Sequence, residues 1–369
     1  MKIHVVKKAE DTQSISRRYG LEEKMLLHTN GLKVAGPLCP GQSLFIPGDR
    51  PEGTKSIEVC AFSAIAPSPG AAQALTYLCL YSHRFDSSGL LIPPSAECSP
   101  ASLRAEGCAP LLCIANFDRE GGFSPELAHL LFTSPEMKNR LFDTLLSKLK
   151  ANSYYGLQLC FNYLFPFDRD NYSAFTAELS EILHREGLSL FIDLAPPDSP
   201  SLSAALDYTA LGKSADRLSL MFCRWGHSYS PPQPIAPLSY IHAALDTVTD
   251  CISPGKLLLG ISGCGFDWKL PWRQGDKAIT LSNSLAAEKA MAMGLEIKYD
   301  TRAQAPFYDC VDAAGRRRRV YFEDARSIAA KLELLEQYSL AGLSLYSFES
   351  SLSQGHGFLQ QLYSAEKLL

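Results

Sequence analysis

No stretch of 18 uninterrupted apolar residues occurs in the 369-residue chain, so no transmembrane span is expected. Charge of one sign is also scarce: 35 Lys and Arg stand against 39 Asp and Glu, for a formal charge of −4. That near balance leaves no electrostatic footprint for nucleic acid, because the only dense basic run, at 316–319, is short and reads as a solvated loop. Eleven cysteines are present without CxxC spacing, which argues against a zinc site or a disulfide framework. Cys60, Cys79, Cys113, Cys160 and Cys223 lie in apolar runs and are expected to be buried, reduced thiols. The opening MKIHVVKKAEDTQSI has no apolar stretch of signal-peptide length, so the expectation is a protein made in the cytoplasm without Sec-type export. No metal or cofactor is implied.

What is there is ample core material, 46% hydrophobic against 20% charged, in a chain long enough for a small module plus a larger domain. Residues 1–48 read as βααβ. Ile3, Val5 and Val6 open the first strand, and Asp11-Thr12 caps a helix carrying Ile15 and Tyr19. A second helix with Met25, Leu26 and Leu27 stops at Asn30-Gly31, and Pro40-Gly41-Gln42 turns into the strand Leu44-Phe45-Ile46. The breaker-rich stretch 49–55 reads as a linker.

Over 56–369, apolar runs at 57–62, 75–81, 110–115, 155–161, 188–193, 218–223, 257–261 and 342–347 count to eight. Helical patterns at 124–150, 170–187, 201–212, 237–251 and 323–339, with a last one near 355–368, fall between or after them. The expected fold is α/β: a (β/α)8 TIM barrel behind a small βααβ module. The interval 263–322 is too long for a plain loop and is expected to hold a small α+β insertion.

VVKKAEDT, the NGL at 30–32 and LCPGQSLFIP at 38–47 resemble the LysM module, with Glu10 where that family usually has glycine. The resemblance implies a partner rich in N-acetylglucosamine, such as peptidoglycan or chitin, contacted through Asp11, Thr12, Asn30, Pro40, Gly41 and Gln42. The bulk of Glu10 beside that groove is expected to weaken the contact. Farther on, ANFDREGGFSPELAHLL, YYGLQLCFNYLFPFDRDNYSAF, LLLGISGCGFDW and APFYDCVDAAGRRRRVYFEDARS resemble glycoside hydrolase family 18, most closely its LysM-bearing spore cortex branch.

That family carries DxxDxDxE at the end of strand four, and its glutamic acid protonates the leaving oxygen while the substrate's own N-acetyl group attacks. The shared Gly156 aligns Tyr155, Gln158, Cys160 and Asn162 with the four acids, so all four are replaced. An amide has no ionisable proton to give, and general acid catalysis is expected to be lost. On strand six the family's Met-x-Tyr-Asp reads Met221, Phe222, Cys223, Arg224, and its floor tryptophan corresponds to Tyr346. The expectation is therefore a non-catalytic, spore-associated glycan binder whose cleft uses Asn116, Cys223, Arg224, Trp268 and Tyr346. An active hexosaminidase using a displaced carboxylate (Asp168, Asp170, Asp193 or Glu349) and a structural spore-coat protein stand as alternatives. Each of those carboxylates also has a plainer place: Asp170 as a helix N-cap, Asp168 in a polar turn, Asp193 and Glu349 on a rim. His227 and His356 read as structural or solvent-facing, and a Cys160–Cys223 metal or redox pair is disfavoured.

Overall fold

In the computed structural model of the chain, residues 2–48, 55–63, 65, 71–94, 99–222, 225–346 and 363–369 are described. The strands Lys2–Val5 and Ser43–Ile46 pair antiparallel around the helices Thr12–Tyr19 and Glu23–Asn30. Asp11 caps the first helix in a reciprocal box with Ser14, and Gly20 and Gly31 end the two helices in the left-handed region. Val6, Ile15, Leu26, Leu38, Leu44 and Ile46 form the small core of this βααβ unit.

Eight parallel strands then close a barrel: Lys55–Ser63, Tyr77–Phe85, Ala109–Ala115, Gly156–Cys160, Ser189–Leu194, Arg217–Leu220, Leu257–Ser262 and Gly342–Tyr346. Strand eight closes on strand one with Ser344 opposite Cys60. The two backbones meet so tightly there that a Cβ on Gly342 would sit 1.8 Å from the Glu58 carbonyl oxygen. Across the barrel floor, Arg217 of strand six donates from Nε to Glu58 Oε2 at 2.6 Å, and the Tyr77 hydroxyl donates to the same oxygen at 3.0 Å. Above this layer sit Cys60, Cys79, Leu111, Cys113, Cys160 and Leu258, all buried.

The helical pattern at 124–150 is two helices, Pro125–Thr133 and Pro135–Ala151. Ser134 between them accepts the Met137 amide as the cap of the second, and Pro135 cannot continue the first. The pattern at 201–212 divides likewise into Pro200–Ser203 and Tyr208–Ser214, the latter capped by Asp207. Of the helix expected near 355–368, residues 355–362 lie outside the described residues, and Tyr363–Ala365 is a strand parallel to Lys55–Ile57. The expected linker falls almost entirely on residues outside those described.

The α+β insertion is a five-stranded antiparallel sheet, in the order Ile279–Ser282, Cys264–Lys269, Arg317–Tyr321, Ala305–Val311, Lys298–Asp300, with the helix Asn283–Ala292 on it. Here the basic run at 316–319 is corrected: it is no solvated loop but the start of a strand. Arg318 is buried against Asp267 at 2.5 Å, and Arg319 pairs with Asp309 at 2.7 Å. Alternating strand geometry turns one arginine inward and the next outward, which a charge count cannot reveal.

The FEDARS segment, 322–327, ties the units together. Asp324 caps the helix Ala325–Gln337, and Glu323 forms a buried ion pair with Lys331. Arg326 reaches from Asp324, at 2.7 Å, to the carbonyl of Gly41 in the N-terminal unit, at 3.0 Å. Around that contact the Ile297 amide donates to the Pro40 carbonyl at 2.9 Å, and the Cys39 thiol donates to the Leu295 carbonyl at 3.2 Å. Gly41 has φ +79, and a Cβ there would lie 1.9 Å from the Ile297 carbonyl oxygen. Gly41→Ala is therefore expected to pry the N-terminal unit off the insertion at a cost on the order of 1–3 kcal/mol. Urea unfolding, with limited proteolysis near residues 49–55, reports it; unchanged stability and protection would rule out this docking.

Candidate functional site

Barrel chemistry is placed at the C-terminal ends of the strands, and a cavity of about 70 Å³ opens there. Cys160 and Asn162 line it from strand four and the turn beyond, Asp193 and Leu194 from strand five, Met221 beyond strand six, and Tyr346 from strand eight. Tyr81 and Phe123 complete the wall. Of the four positions that the resemblance aligns with the family's acids, the mouth thus gathers Cys160 and Asn162. Gln158 lies one layer below, fully buried, donating from Nε2 to Asp193 Oδ1 at 2.9 Å. Tyr155, at the other end of the strand, packs on Tyr77 at the floor, 5.7 Å between ring centroids, and faces no cleft.

Asp193 is the hub of this end. Its second oxygen accepts the Tyr346 hydroxyl, whose ring stacks on Phe62 at 4.3 Å and 20°. Both carboxylate oxygens therefore face donors fixed by neighbouring strands. The side-chain amide of Asn162 lines the cavity and has no hydrogen-bond partner among the described residues, so a donor and an acceptor are presented to whatever enters.

Asn116 holds that amide in place rather than facing a ligand. It is buried; its Oδ1 accepts the Asn162 backbone N–H at 3.0 Å, and its Nδ2 donates to the carbonyls of Asn162 and Ser124, both at 3.0 Å. The next residue, Tyr163, adopts φ 55, a left-handed conformation uncommon for an aromatic residue, and the clamp on Asn162 supports it. Trp268, expected in the cleft, is also corrected. It is 0% exposed in the insertion core, with Nε1 donating to the Ser230 carbonyl at 2.7 Å. Its placement follows from the antiparallel sheet, which turns it inward toward Phe266 and Tyr321.

Cys223, Arg224, Glu349 and His356 lie outside the described residues. Asp168 is buried away from the cavity, held by His129 at 2.8 Å and Asn171 at 2.9 Å. Asp170 is not the cap expected: the N-cap is Asp168, and Asp170 falls two positions on, in the first turn of the helix Arg169–Arg185, where a negative charge still complements the helix dipole. His227 accepts the Tyr229 amide in a turn. Cys160 has its thiol neighbour in Cys113, 3.2 Å away, and burial pushes both thiols well up, so neither is poised as a thiolate. Among the described residues no group of three or more His, Cys, Asp or Glu is placed to hold a metal.

Sequence reasoning passed over Tyr81, Phe123 and Met221 as lining residues. Phe123 continues an aromatic series, 4.5 Å from Phe117 and 5.8 Å from the exposed Tyr163. A signal was available: Phe117, Phe123 and Tyr163 follow the ends of strands three and four, and Tyr81 lies in strand two.

In the N-terminal unit most of the expected sugar contacts are spent internally. Asn30 is a buried clamp, donating from Nδ2 to the carbonyls of Leu26 and Phe45 and accepting the Phe45 amide at 2.7 Å. Thr12 is buried, donating to Glu23 and accepting the Gly36 amide. Asp11 is occupied by Ser14, whose amide and hydroxyl hold its carboxyl below the usual range. Pro40 and Gly41 face the insertion, and Gln42 accepts the Cys39 amide at 3.3 Å. Glu10 does not project into a groove as expected from its size. It folds back onto His4 at 2.7 Å and Arg18 at 2.6 Å.

Burial works upward on Glu10, but hydrogen bonds from the Lys7 amide, His4 and Arg18 outweigh it and bring the carboxyl from 4.5 to about 2. A carboxyl lowered by folding contributes stability that is complete above its unfolded value and is lost as pH falls through about 2. Glu10→Gln is thus expected to be less stable than wild type at pH 7, the gap closing between pH 5 and pH 2. Denaturation midpoints against pH measure this, and a constant gap would refute it. Asn116→Ala strands the Asn162 N–H and carbonyl and should cost about 1–3 kcal/mol, read by urea unfolding. A neutral result would deny the clamp.

The family described as glycosyl hydrolases family 18 matches residues 112–350, and the LysM domain matches residues 4–47. The cortical fragment-lytic enzyme of Bacillus subtilis is 30% identical over 305 residues, covering 80% of this chain and 70% of that protein. The crystal structure of the Bacillus cereus spore cortex-lytic enzyme SleL superposes with a TM-score of 0.80 at 27% identity, over 100% of this chain and 88% of that one. A chitinase from Chromobacterium violaceum shares the fold at a TM-score of 0.75 and 24% identity, over 83% of this chain and 99% of that one. The chain belongs to glycosyl hydrolases family 18 and carries a LysM domain ahead of its barrel.

Proposed function

We propose that this protein is a non-catalytic, spore-associated binder of N-acetylglucosamine-containing glycan, with cortex peptidoglycan as its polymer. The LysM and family-18 domains imply a glycan of this class, and relatives named for cortex lysis point to the spore. The single observation that carries the non-catalytic reading is Asn162. It lines the cavity at the position that the resemblance gives to the proton-donating glutamic acid. An amide there keeps two hydrogen-bonding groups for a sugar and loses the transferable proton, a loss on the order of 10² to 10⁴-fold for that role alone.

Asp193 is the one carboxylate lining the cavity among the described residues, and it therefore stands for the displaced-acid alternative. Its oxygens accept from Gln158 and Tyr346, an arrangement suited to holding the wall rather than giving up a proton. Sugar faces meet Tyr81, Phe123 and Tyr163, while the acetamido group meets Asn162.

The deciding experiment titrates N-acetylglucosamine oligomers and purified cortex fragments into the full chain by calorimetry, with a product assay in parallel. Binding without product is expected, weakened several-fold in Tyr163→Asn, which keeps a side chain tolerant of the left-handed turn and removes the ring. Product that disappears in Asp193→Asn would establish the displaced acid and overturn the reading. Absence of binding would leave a structural role.

A further inference from the structure

The inside of the barrel is filled in levels, and one level is polar and short of partners. Gln158 of strand four lies opposite Phe191 of strand five, which lies opposite Arg217 of strand six, and Ser219 is two residues above Arg217. The same step leads from Ser219 past Leu258 and Gly342 to Ser344, and from Ser344 past Cys60 and Tyr77 to Cys79. Taken once more, past Leu111 and Gly156, it returns to Gln158. Strand tilt in a closed eight-stranded barrel puts four such residues, drawn from alternate strands, on one level. Two residues higher on the same strands stand Tyr81, Cys160, Met221 and Tyr346, all of which line the cavity at the mouth. Gln158, Ser219, Ser344 and Cys79 form a ring of their own below it, and all four are buried.

Three oxygens in this ring, Oε1 of Gln158 and the hydroxyls of Ser219 and Ser344, have no hydrogen-bond partner among the described residues. Folded proteins satisfy the large majority of their buried polar atoms, with ordered water where no protein group reaches. The ring also leaves room. Branched aliphatic side chains usually fill a barrel level, whereas two serines and a cysteine take three of the four positions here, and the strand-seven residue opposite Ser344 is Gly260. We propose that an ordered water sits at the centre of this ring, donating to Gln158 Oε1 and hydrogen-bonded to the hydroxyls of Ser219 and Ser344. Three contacts are the usual complement of a buried water. Three neutral oxygens suit water better than a hard cation, which gathers roughly six to eight ligands with carboxylates among them. The carboxylate of the level above, Asp193, accepts from Gln158 and Tyr346. Gln158 Nε2 donates to Asp193 Oδ1 at 2.9 Å, and the water holds the same amide by its other end. Strands six and eight are thereby tied, through Gln158, to the carboxylate that shapes the mouth.

A high-resolution crystal structure of the full wild-type chain, with crystals soaked in a rubidium salt, tests the site directly. Expected is a density peak about 2.8 Å from each of the three oxygens, without anomalous rubidium signal. No peak, or rubidium in it, would overturn the water. Urea unfolding of Ser219→Ala and Ser344→Ala gives a second, independent reading. Each variant should raise the unfolding equilibrium constant about fivefold. The double variant should raise it by clearly less than the product of the two, because both substitutions remove the same water. If the hydroxyls are solitary, each alanine instead relieves an unmet group and lowers the unfolding constant, which would overturn the proposal. Effects that simply multiply would deny a shared water. Neither measurement depends on glycan binding, so failure here leaves the proposed function standing.

Discussion

A closed ring of eight parallel strands has to fill its own centre, and that requirement governs what is left for a ligand at either end. At the floor the filling is ionic: Glu58, Arg217 and Tyr77 link strands one, six and two in a place where an unpaired charge would be prohibitive. In the middle it is small and soft, with four thiols on the first four strands. Only at the top does the packing stop, and there Asp193, held from strands four and eight, sets the shape of the cavity. The mouth of this barrel is what its interior does not consume.

At the mouth the fold is tied to the backbone of residue 162. Asn116 grips the backbone of Asn162, both its N–H and its carbonyl, and never its side chain. The identity of that side chain is therefore decoupled from the turn that presents it. Membership of the family therefore rests on the fold and does not by itself decide the chemistry at this residue.

Periodicity and turn chemistry made the architecture legible. Eight apolar runs mark eight buried strands, because parallel strands covered on both faces are apolar throughout. Asp11, Gly31 and the turn before Ser43 mark the LysM unit just as clearly, and the excess length at 263–322 marks the insertion. Of the positions that the resemblance aligns with the family's acids, Asn162 and Cys160 face the cavity. What could not be read was who else competes for a side chain. Trp268 and Asn30 belong to residue types that bind sugars, yet each is consumed by a partner distant in sequence, Ser230 and Phe45. Pro40 and Gly41 meet residues more than 250 positions away. Ser134, ending one helix and starting the next, hid because the apolar spacing runs on through it.

Arg326 has a consequence beyond local packing. By bridging its own helix cap and the Gly41 carbonyl, it fastens the LysM domain to the barrel by a contact between residues far apart in the chain. Two modules on a slack tether sample many separations and take hold of a polymer at whichever spacing comes first. Modules fastened face to face have one separation, and simultaneous engagement succeeds only where the polymer repeats at that distance. On the proposed glycan-binding reading, the pair would behave as a gauge, responsive to how a glycan strand is spaced and laid out as well as to which sugar it contains.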